Sequence, residues 1–320
     1  MAINNIGIIY GGFKSQADIN LDHAKAIASA FVPHYKIIYY NLSTPKGQDI
    51  LIRDWRNKKV DFIFNNSAGK KGGDGTVEGF LDILGIPYVG SGMLPTAMAF
   101  DKKTTKKIVS GSGILVVKDL TIGFNNWKEN KQGVINRIKR AIGYPLIVKA
   151  SRGTDSIAVA IVKNTKELIP AIKRAFKEDD HLVIEEFVRK IAEVSCMVYG
   201  NKKNIEAFLP VQWGHEGDIL ETDEKFDVAK MTIPPKLGPT TIARIKKVSI
   251  IAHRILGCDD YSRSDLIISK NRKIYFLEIN AHAGLGLSSS TVHMAKATKG
   301  WDHKKLINNI LMLAVKRLKL

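Results

Sequence analysis

Two short motifs near the end of the sequence carry side chains with the spacing of a metal site. Arg263 and Asp265 are two positions apart, and Glu278 and Asn280 follow with the same spacing. Positions i and i+2 of a strand face the same side, so two antiparallel strands would bring all four side chains together. Two carboxylates and an amide oxygen are hard ligands, which suit one or two Mg²⁺ ions that bridge the phosphates of ATP.

A solvated sheet face with incidental charges is the alternative interpretation of these motifs. It is less consistent with the strand itself, because Glu278 and Asn280 follow directly after the apolar run at 274–277. A carboxylate buried there without a metal or another partner would be costly. The pattern therefore favours metal ligands.

The rest of the sequence predicts the elements that hold these motifs. A chain of 320 residues, 45% hydrophobic and 25% charged, is long enough for two or three packed domains. Alternating strand and helix patterns over 1–110 predict a parallel α/β domain, and mixed patterns over 111–190 and 191–320 predict a central and a C-terminal α+β domain. The central patterns include a strand over 114–117 and a helix over 127–142. The polar, weakly periodic segment 214–237 is typical of a lid.

Further motifs occur in an order that is typical of one family. They are Gly11-Gly12, Gly72-Gly73-Asp74-Gly75, Gly85-Ile86-Pro87-Tyr88-Val89-Gly90-Ser91, Asp101-Lys102, Tyr144-Pro145-Leu146-Ile147-Val148-Lys149, Ile184-Glu185-Glu186-Phe187 and the two motifs above. In their order and spacing, the sequence resembles the D-alanine–D-alanine ligases of the ATP-grasp superfamily. The resemblance implies the ATP-grasp fold and an ATP-dependent ligase that activates a carboxylate as an acyl phosphate and couples it to an amine.

The resemblance also implies ATP and Mg²⁺ (or Mn²⁺) as cofactors and assigns residues to them. Lys102 and Lys149 match two lysines on the ATP phosphates, a role that suits a mobile ammonium; the alternative for each is a surface lysine. Lys149 ends an apolar strand, where an inward-facing lysine needs an anion. The implied adenine and ribose positions are Glu185, Glu186, Phe187, Val188 and Glu193. The implied metal ligands are Asp265, Glu278 and Asn280.

The residues implied for catalysis lie close to the metal motifs and in the lid. Arg263 and the backbone N–H of Gly284 resemble the family's oxyanion hole, which stabilises the tetrahedral intermediate formed by amine attack. A simpler interpretation of Gly284 is that it shapes a turn. Lys225 matches a lid lysine that reaches the phosphates, and Ser289 matches the group that holds the second substrate's carboxylate.

The residues that should hold the first D-alanine depart from the family pattern. Gln16 replaces a glutamate, Ala68 a histidine and Gly73 a second glutamate. Asp155 replaces a serine of the phosphate-covering loop, as a new anionic partner or a solvent-exposed side chain, and Phe226 replaces the lid tyrosine. Because a buried ammonium without its partners is costly, we hypothesise an acyl donor other than free D-alanine. The competing hypothesis keeps D-alanyl-D-alanine synthesis, with other loop residues binding the substrate.

The net charge motivates a second class of function. The chain carries 49 Lys and Arg against 31 Asp and Glu, a formal charge of +18, which is compatible with a non-catalytic nucleotide-binding or nucleic-acid-associated protein. The lysines are scattered with few aromatic residues among them, which argues against nucleic acid as a partner. No apolar run approaches the roughly 20 residues of a membrane span, so we expect a cytoplasmic enzyme acting on small-molecule carboxylate and amine substrates. The resemblance implies a homodimer.

Overall fold

The computed structural model describes most of the chain. The described ranges are residues 3–11, 17–153, 158–202, 204–214 and 227–320. Within them, three sheets follow one another along the sequence, and each lies in one of the three predicted ranges, apart from Lys190 at the start of the third sheet. The domain boundaries themselves stay a prediction. No helix in the described ranges is both long and apolar enough to cross a membrane.

A three-stranded parallel sheet opens the chain. Its strands, in the spatial order β2-β1-β3, are β1 (Asn5–Tyr10), β2 (Lys36–Asn41) and β3 (Phe62–Asn65). The helices of this part are α1 (Ala17–Phe31), α2 (Pro45–Arg56) and α3 (Thr76–Leu84). The four central residues of β1 are buried, as expected for an apolar strand of a parallel sheet. After β3 the chain continues into Asn66 and Ser67, which line the cavity described below.

Two short helices connect the first sheet to the second. They are α4 (Met93–Phe100) and α5 (Lys102–Gly111). Asp101 lies between them and caps α5, because its carboxylate accepts a hydrogen bond from the N–H of Lys103. The cap fixes Lys102 at the first position of α5, where its N–H donates to the carbonyl of Ser151 at 3.0 Å.

Four antiparallel strands form the second sheet, in the order β4-β7-β5-β6. They are β4 (Asp119–Gly123), β5 (Leu146–Ala150), β6 (Ala160–Val162) and β7 (His181–Glu186). The helices of this part are α6 (Phe124–Glu129), α7 (Lys131–Ala141) and α8 (Thr165–Ala175). Ile138 and Ile172 from these helices pack with Leu146 and Ile184 of the sheet in one hydrophobic core.

The third sheet is antiparallel and has the order β11-β10-β8-β12-β13, with β9 also paired to β8. Its strands are β8 (Lys190–Asn201), β9 (Asn204–Ala207), β10 (Val211–Trp213), β11 (Met231–Thr232), β12 (Tyr261–Ser269) and β13 (Ile274–Asn280). The helices are α9 (Pro239–Ile255), α10 (Ser290–Lys299) and α11 (His303–Leu318).

Helix α11 joins the first part of the chain to the third. Asn308 donates to the carbonyl of Ala30 in α1 at 3.0 Å. Arg317 binds the carboxylate of Asp260 through Nε and Nη2, and the same Nη2 donates to the carbonyl of Gly90 at 3.0 Å. These contacts hold α1 and the segment after α3 against the third sheet, so that both sides of the site below are fixed.

The structure differs from the predicted elements in several places. The helix predicted over 127–142 is two helices, because Asn130 ends α6 and caps α7 by accepting from the N–H of Gly133 at 2.8 Å. The strand predicted over 114–117 is wrong: Val116 forms only an isolated bridge to Phe276. The sequence patterns also do not predict α4, β4 or α10, which are short segments with weak periodicity.

Candidate active site

The pairing of β12 with β13 places the four predicted side chains side by side. Arg263 is opposite Asn280, and Asp265 is opposite Glu278. The register shifts directly after Asp265, as in a β-bulge. The shift begins only after Asp265. Arg263 and Asp265 on β12, and Glu278 and Asn280 on β13, therefore keep the regular alternation that puts all four side chains on one face of the sheet.

Asp265 is held by three neighbouring side chains, with 8% of its surface exposed. Arg263 donates from Nε to Oδ1 at 2.9 Å and from Nη2 to Oδ2 at 2.8 Å. Ser195 Oγ donates to Oδ1 at 2.6 Å, and Asn280 Nδ2 lies 3.4 Å from Oδ2. Trp213 in turn donates from Nε1 to the Ser195 hydroxyl at 2.9 Å. Arg263 thus binds both oxygens of Asp265 through charge-assisted hydrogen bonds. Together with the contacts of Ser195 and Asn280, it fixes the plane of the carboxylate.

Glu278 faces a lysine from the opposite side of the site. Lys102 Nζ lies 3.1 Å from Oε2 of Glu278 and donates to the carbonyl of Gly153 at 2.5 Å. The position of Lys102 follows from the Asp101 cap at the start of α5. Lys102 contacts the Glu278 carboxylate, and Arg263 contacts the Asp265 carboxylate. The positive and negative groups of the site therefore alternate, and the two cations suit a polyanionic ligand.

A cavity of about 150 Å³ opens in front of these side chains. Its polar side chains come from the first and third parts of the chain and include Asn20, His23, Asn65, Asn66, Ser67, Lys102, Arg263, Glu278, Asn280, His282, Ser289 and Ser290, while the central part contributes Gly153. The backbone of Gly284 also borders it. A site at the junction of several chain segments is typical of small-molecule enzymes.

One end of the cavity lies at the start of α10. The hydroxyls of Ser289 and Ser290 are buried there, and within the described part of the chain neither has a hydrogen-bond partner. Ser289 is the residue that precedes the first turn of α10. Buried hydroxyls at a helix N-terminus are well suited to bind a carboxylate, because the helix dipole also favours an anion.

The opposite wall carries residues of the glycine-rich loop. Ala68 lines the cavity, whereas Gly73 is not among its lining residues. Behind this wall Glu78 is fully buried; its Oε1 accepts from Asn65 Nδ2 at 2.5 Å and lies 3.0 Å from Nε2 of His282. The orientation of the His282 ring is outside hydrogen-bonding geometry, so we describe this contact as proximity rather than a hydrogen bond.

The predicted nucleotide residues form a second group on the central sheet. Lys149 and Lys106 each place Nζ 2.8 Å from Oε1 of Glu185, and Lys106 is also 3.3 Å from Asp119. Burial alone would raise the pKa of Glu185, but the two lysines lower it below its ordinary value. The anion that faces Lys149 in this structure is therefore the Glu185 carboxylate.

The structure thus separates the predicted residues into three sets. Those on the cavity are Lys102, Arg263, Glu278, Asn280, Gly284 and Ser289, with Asp265 in contact with two of them. A second set is not among the residues that line this cavity: Lys149, Glu185, Glu186, Phe187 and Val188 lie on or directly after strands of the central sheet, and Glu193 lies on β8 of the third sheet. Those outside the described residues are Gln16, Asp155, Lys225 and Phe226.

Sequence reasoning missed three residues that the structure brings to the site. Ser195 supports Asp265 from β8, Glu78 is buried beside His282, and His23 reaches the cavity from α1. A glutamate inside the otherwise apolar face of α3 is the one local signal for Glu78. The others depend on contacts between distant segments.

The side chains on β12 and β13 fit a divalent cation. Asp265, Glu278 and Asn280 offer oxygen ligands from adjacent positions, and basic groups already compensate the two carboxylates. Within the described ranges, no group of three or more His, Cys, Asp and Glu residues is arranged to hold a metal. A magnesium ion here would therefore depend on two carboxylates, an amide and the phosphates of its nucleotide.

Comparisons with known proteins show the family to which the chain belongs. The family described as D-ala D-ala ligase C-terminus matches residues 108–312. A D-alanine–D-alanine ligase of Clostridium beijerinckii is 31% identical over 313 residues, which cover 97% of this chain and 98% of the relative. A solved D-alanine–D-alanine ligase of Bacillus anthracis has a TM-score of 0.83 at 27% identity, covering 99% of both chains.

The same Bacillus anthracis enzyme solved in complex with ATP has a TM-score of 0.77 at 26% identity, again with 99% of each chain covered. The family match spans well over half of the chain, and the relatives align over almost its whole length. The chain belongs to the D-alanine–D-alanine ligase family, has the ATP-grasp fold and is an ATP-dependent ligase that forms a C–N bond.

Proposed function

We propose that this ligase activates a carboxylic acid as an acyl phosphate at the β12–β13 face and transfers the acyl group to an amine, with Mg²⁺ on the ATP phosphates. The observation that carries the proposal is the joint position of Lys102, Arg263, Glu278 and Asn280 on one cavity, with Asp265 beside them. Phosphoryl transfer depends mainly on positioning and charge neutralisation, and this set supplies both.

Nucleotide binding is assigned to the region between the central and C-terminal parts. Lys102 and Lys149 would contact the phosphates, the backbone of 185–188 the adenine, and Glu193 the ribose. The contact of Lys149 with Glu185 holds the ammonium at the end of β5 before a phosphate arrives. The solved relative complexed with ATP, which covers 99% of this chain, supports ATP as the nucleotide.

Asp265, Glu278 and Asn280 would hold Mg²⁺, which when bound supplies neutralisation of the phosphate charge. Lys102 adds a positive charge on the same side. The donor carboxylate attacks the γ-phosphoryl group in this field, and ADP leaves.

The second step uses the other end of the cavity. Ser289 binds the carboxylate of the acceptor, whose amine then attacks the acyl phosphate. Arg263 and the N–H of Gly284 stabilise the oxyanion that develops on the acyl oxygen when the amine attacks the acyl carbon. Lys225 is outside the described residues; we keep the prediction that the segment 214–237, to which it belongs, is a lid that would limit hydrolysis of the acyl phosphate.

The acyl donor is a carboxylic acid other than free D-alanine. Ala68 presents only a methyl group to the cavity, and Gly73 presents no side chain, where the resemblance expects partners of a substrate ammonium. Gln16, Asp155 and Phe226 complete the altered set. D-Alanyl-D-alanine synthesis remains the competing proposal, because the relatives carry that name.

A coupled assay of ADP release, with the full chain as the enzyme, tests both the acyl-phosphate mechanism and the choice of donor. ATP, Mg²⁺ and D-alanine are compared with a panel of amino and hydroxy acids as donors. We expect ADP release with at least one acid of the panel and little with D-alanine alone. ADP release at ordinary D-alanine concentrations contradicts the altered donor, whereas the absence of release with every acid contradicts the acyl-phosphate mechanism.

The relatives' activity argues against a non-catalytic or nucleic-acid-associated protein. We also propose a cytoplasmic enzyme and a homodimer. Gel filtration with light scattering tests the assembly, and salt-dependent retention on nucleic acid would argue for the second class of function.

A further inference from the structure

His23 lies against the backbone of two glycines that border the cavity. A methyl group built on Gly286 would be 2.1 Å from Cδ2 of the His23 ring, and one built on Gly284 would be 3.4 Å from Cε1 and 3.8 Å from Nδ1. The first distance is far below any van der Waals contact, so the ring occupies space that only a glycine at position 286 leaves. The imidazole is thus packed in a defined place beside Gly284.

This place is next to both groups that the proposed second step uses. Ser289 Oγ also lies close to Gly284, since a methyl group built on that glycine would be 3.1 Å from this oxygen. The N–H of Gly284 is the proposed oxyanion donor, and the three residues line one cavity. An α-amino acid whose carboxylate is bound at Ser289 carries its amine only two bonds from the carboxyl carbon. An amine held in this way would lie close to the His23 ring.

The surroundings of His23 favour a neutral imidazole. Burial lowers the pKa of His23 below its ordinary value, the adjacent Asp22 opposes this, and His303 lowers it further. His303 itself donates from Nε2 to the carbonyl of Leu285 at 2.9 Å. The charged side chains that share the cavity are Lys102, Arg263 and Glu278. A neutral imidazole has one ring nitrogen that can accept a proton.

We propose that His23 is a catalytic residue, the general base that takes a proton from the acceptor amine as it attacks the acyl phosphate. The N–C bond forms, the bond between the acyl carbon and the phosphate oxygen breaks, and inorganic phosphate leaves with the electron pair. The proton released by the amine goes to His23 and then to solvent. This inference rests on the proposed acyl-phosphate mechanism.

The two half-reactions can be measured separately. Hydroxylamine, which is mostly unprotonated at neutral pH, traps an acyl phosphate as a hydroxamate without a base, so hydroxamate yield reports the first step. Amide formation with an amino-acid acceptor reports the second. The donor is the acid that gives the fastest ADP release in the panel described above.

The variant is His23→Gln, and the matched control is His34→Gln, because His34 is exposed in the loop after α1. We expect His23→Gln to form hydroxamate within about twofold of wild type and to form amide about 100-fold more slowly, the usual contribution of general base catalysis. His34→Gln should leave both rates unchanged. Wild type should lose amide formation as the pH falls and His23 becomes protonated, and His23→Gln should lack this limb.

Two further variants separate catalysis from packing. Added imidazole should restore part of the amide formation of His23→Ala, because a base can enter the space that the ring leaves. Gly286→Ala should displace the ring and slow amide formation selectively, with His23 still present. Equal losses in both half-reactions of His23→Gln, or no loss in either, would overturn the role of His23 while leaving the ligase mechanism intact. A wild-type protein that forms no hydroxamate with any acid overturns both proposals.

Discussion

Glu78 Oε1 and Nε2 of His282 lie 3.0 Å apart, and the two side chains are 0% and 7% exposed. They come from α3 and from the segment after β13, so the contact joins the first part of the chain to the third. Gly90 leaves room for the ring, since a methyl group there would be 3.2 Å from Cε1 of His282. The second oxygen of Glu78 has no hydrogen-bond partner among the described residues, which leaves the carboxylate dependent on few neighbours.

We expect His282→Ala to lower the free energy of unfolding by about 1–3 kcal/mol, because it leaves a cavity and removes the imidazole that lies beside a buried carboxylate. In the Glu78→Gln background the same substitution should cost less, since an uncharged amide needs less compensation. Urea unfolding of wild type, both single variants and the double variant gives the coupling free energy. Equal costs of His282→Ala in both backgrounds would mean that the two side chains do not interact.

Glu278→Gln tests the proposed metal site. The substitution keeps the shape of the side chain but removes one of two carboxylates, so we expect ATP consumption to fall on the order of 100-fold or more, as for other losses of transition-state charge stabilisation. Glu129→Gln, at the exposed end of α6, is the matched control and should be fully active. ADP release is measured over a range of Mg²⁺ concentrations. Unchanged ADP release from Glu278→Gln would refute the site.

The ion cluster on the central sheet makes a stability prediction. Glu185→Gln leaves Lys106 and Lys149 without their shared carboxylate, and breaking a buried ion pair typically costs about 3–5 kcal/mol. We expect a loss of this order in urea unfolding at pH 7. Glu186→Gln, at the exposed next position, should change the free energy of unfolding by less than about 0.5 kcal/mol.

The pH dependence follows from the lowered pKa of Glu185. A carboxyl whose pKa is lower in the folded than in the unfolded state stabilises the fold fully above the unfolded pKa, which for glutamate is about 4.3. The contribution is lost as the pH falls from there through the folded pKa. The difference between wild type and Glu185→Gln should therefore be constant from pH 7 to pH 5 and shrink below it. A difference that grows on acidification would contradict the assigned ion pairs.

The β12–β13 face was predictable because strand alternation is local: the two i, i+2 pairs share a face whatever the rest of the chain does. The partners of Asp265 could not be predicted in the same way. Ser195 comes from β8, and the register between β8 and β12 depends on packing of the whole sheet. Lys149 was expected to need an anion, but the anion is the side chain of Glu185, a residue that the resemblance linked to adenine through its backbone.

His23 illustrates the limit of sequence reasoning at this site. Nothing in the pattern of α1 distinguishes it from a surface histidine. Its role depends on glycines at 284 and 286, more than 250 residues later, which α11 and the loop before α10 bring against α1. Such a contact is a property of the tertiary structure, and a single sequence carries no local trace of it.

The proposed effect of Ala68 and Gly73 on the choice of donor can be tested by restoring the family's side chains at these two positions. The structure accommodates the change at Gly73, because a methyl group there would be 3.6 Å from the Ser67 carbonyl oxygen and 3.7 Å from the Ala68 Cα, which are ordinary contacts. We expect the double substitution Ala68→His with Gly73→Glu to raise kcat/KM for D-alanine as donor by about tenfold or more, since it adds polar partners for an ammonium. The same variant should lower kcat/KM for the acid preferred by wild type.

Each single variant serves as a control, because neither alone supplies both partners. If the double variant leaves the ratio of kcat/KM for the two donors unchanged, the residues at positions 68 and 73 do not select the donor, and the competing proposal of D-alanyl-D-alanine synthesis is favoured.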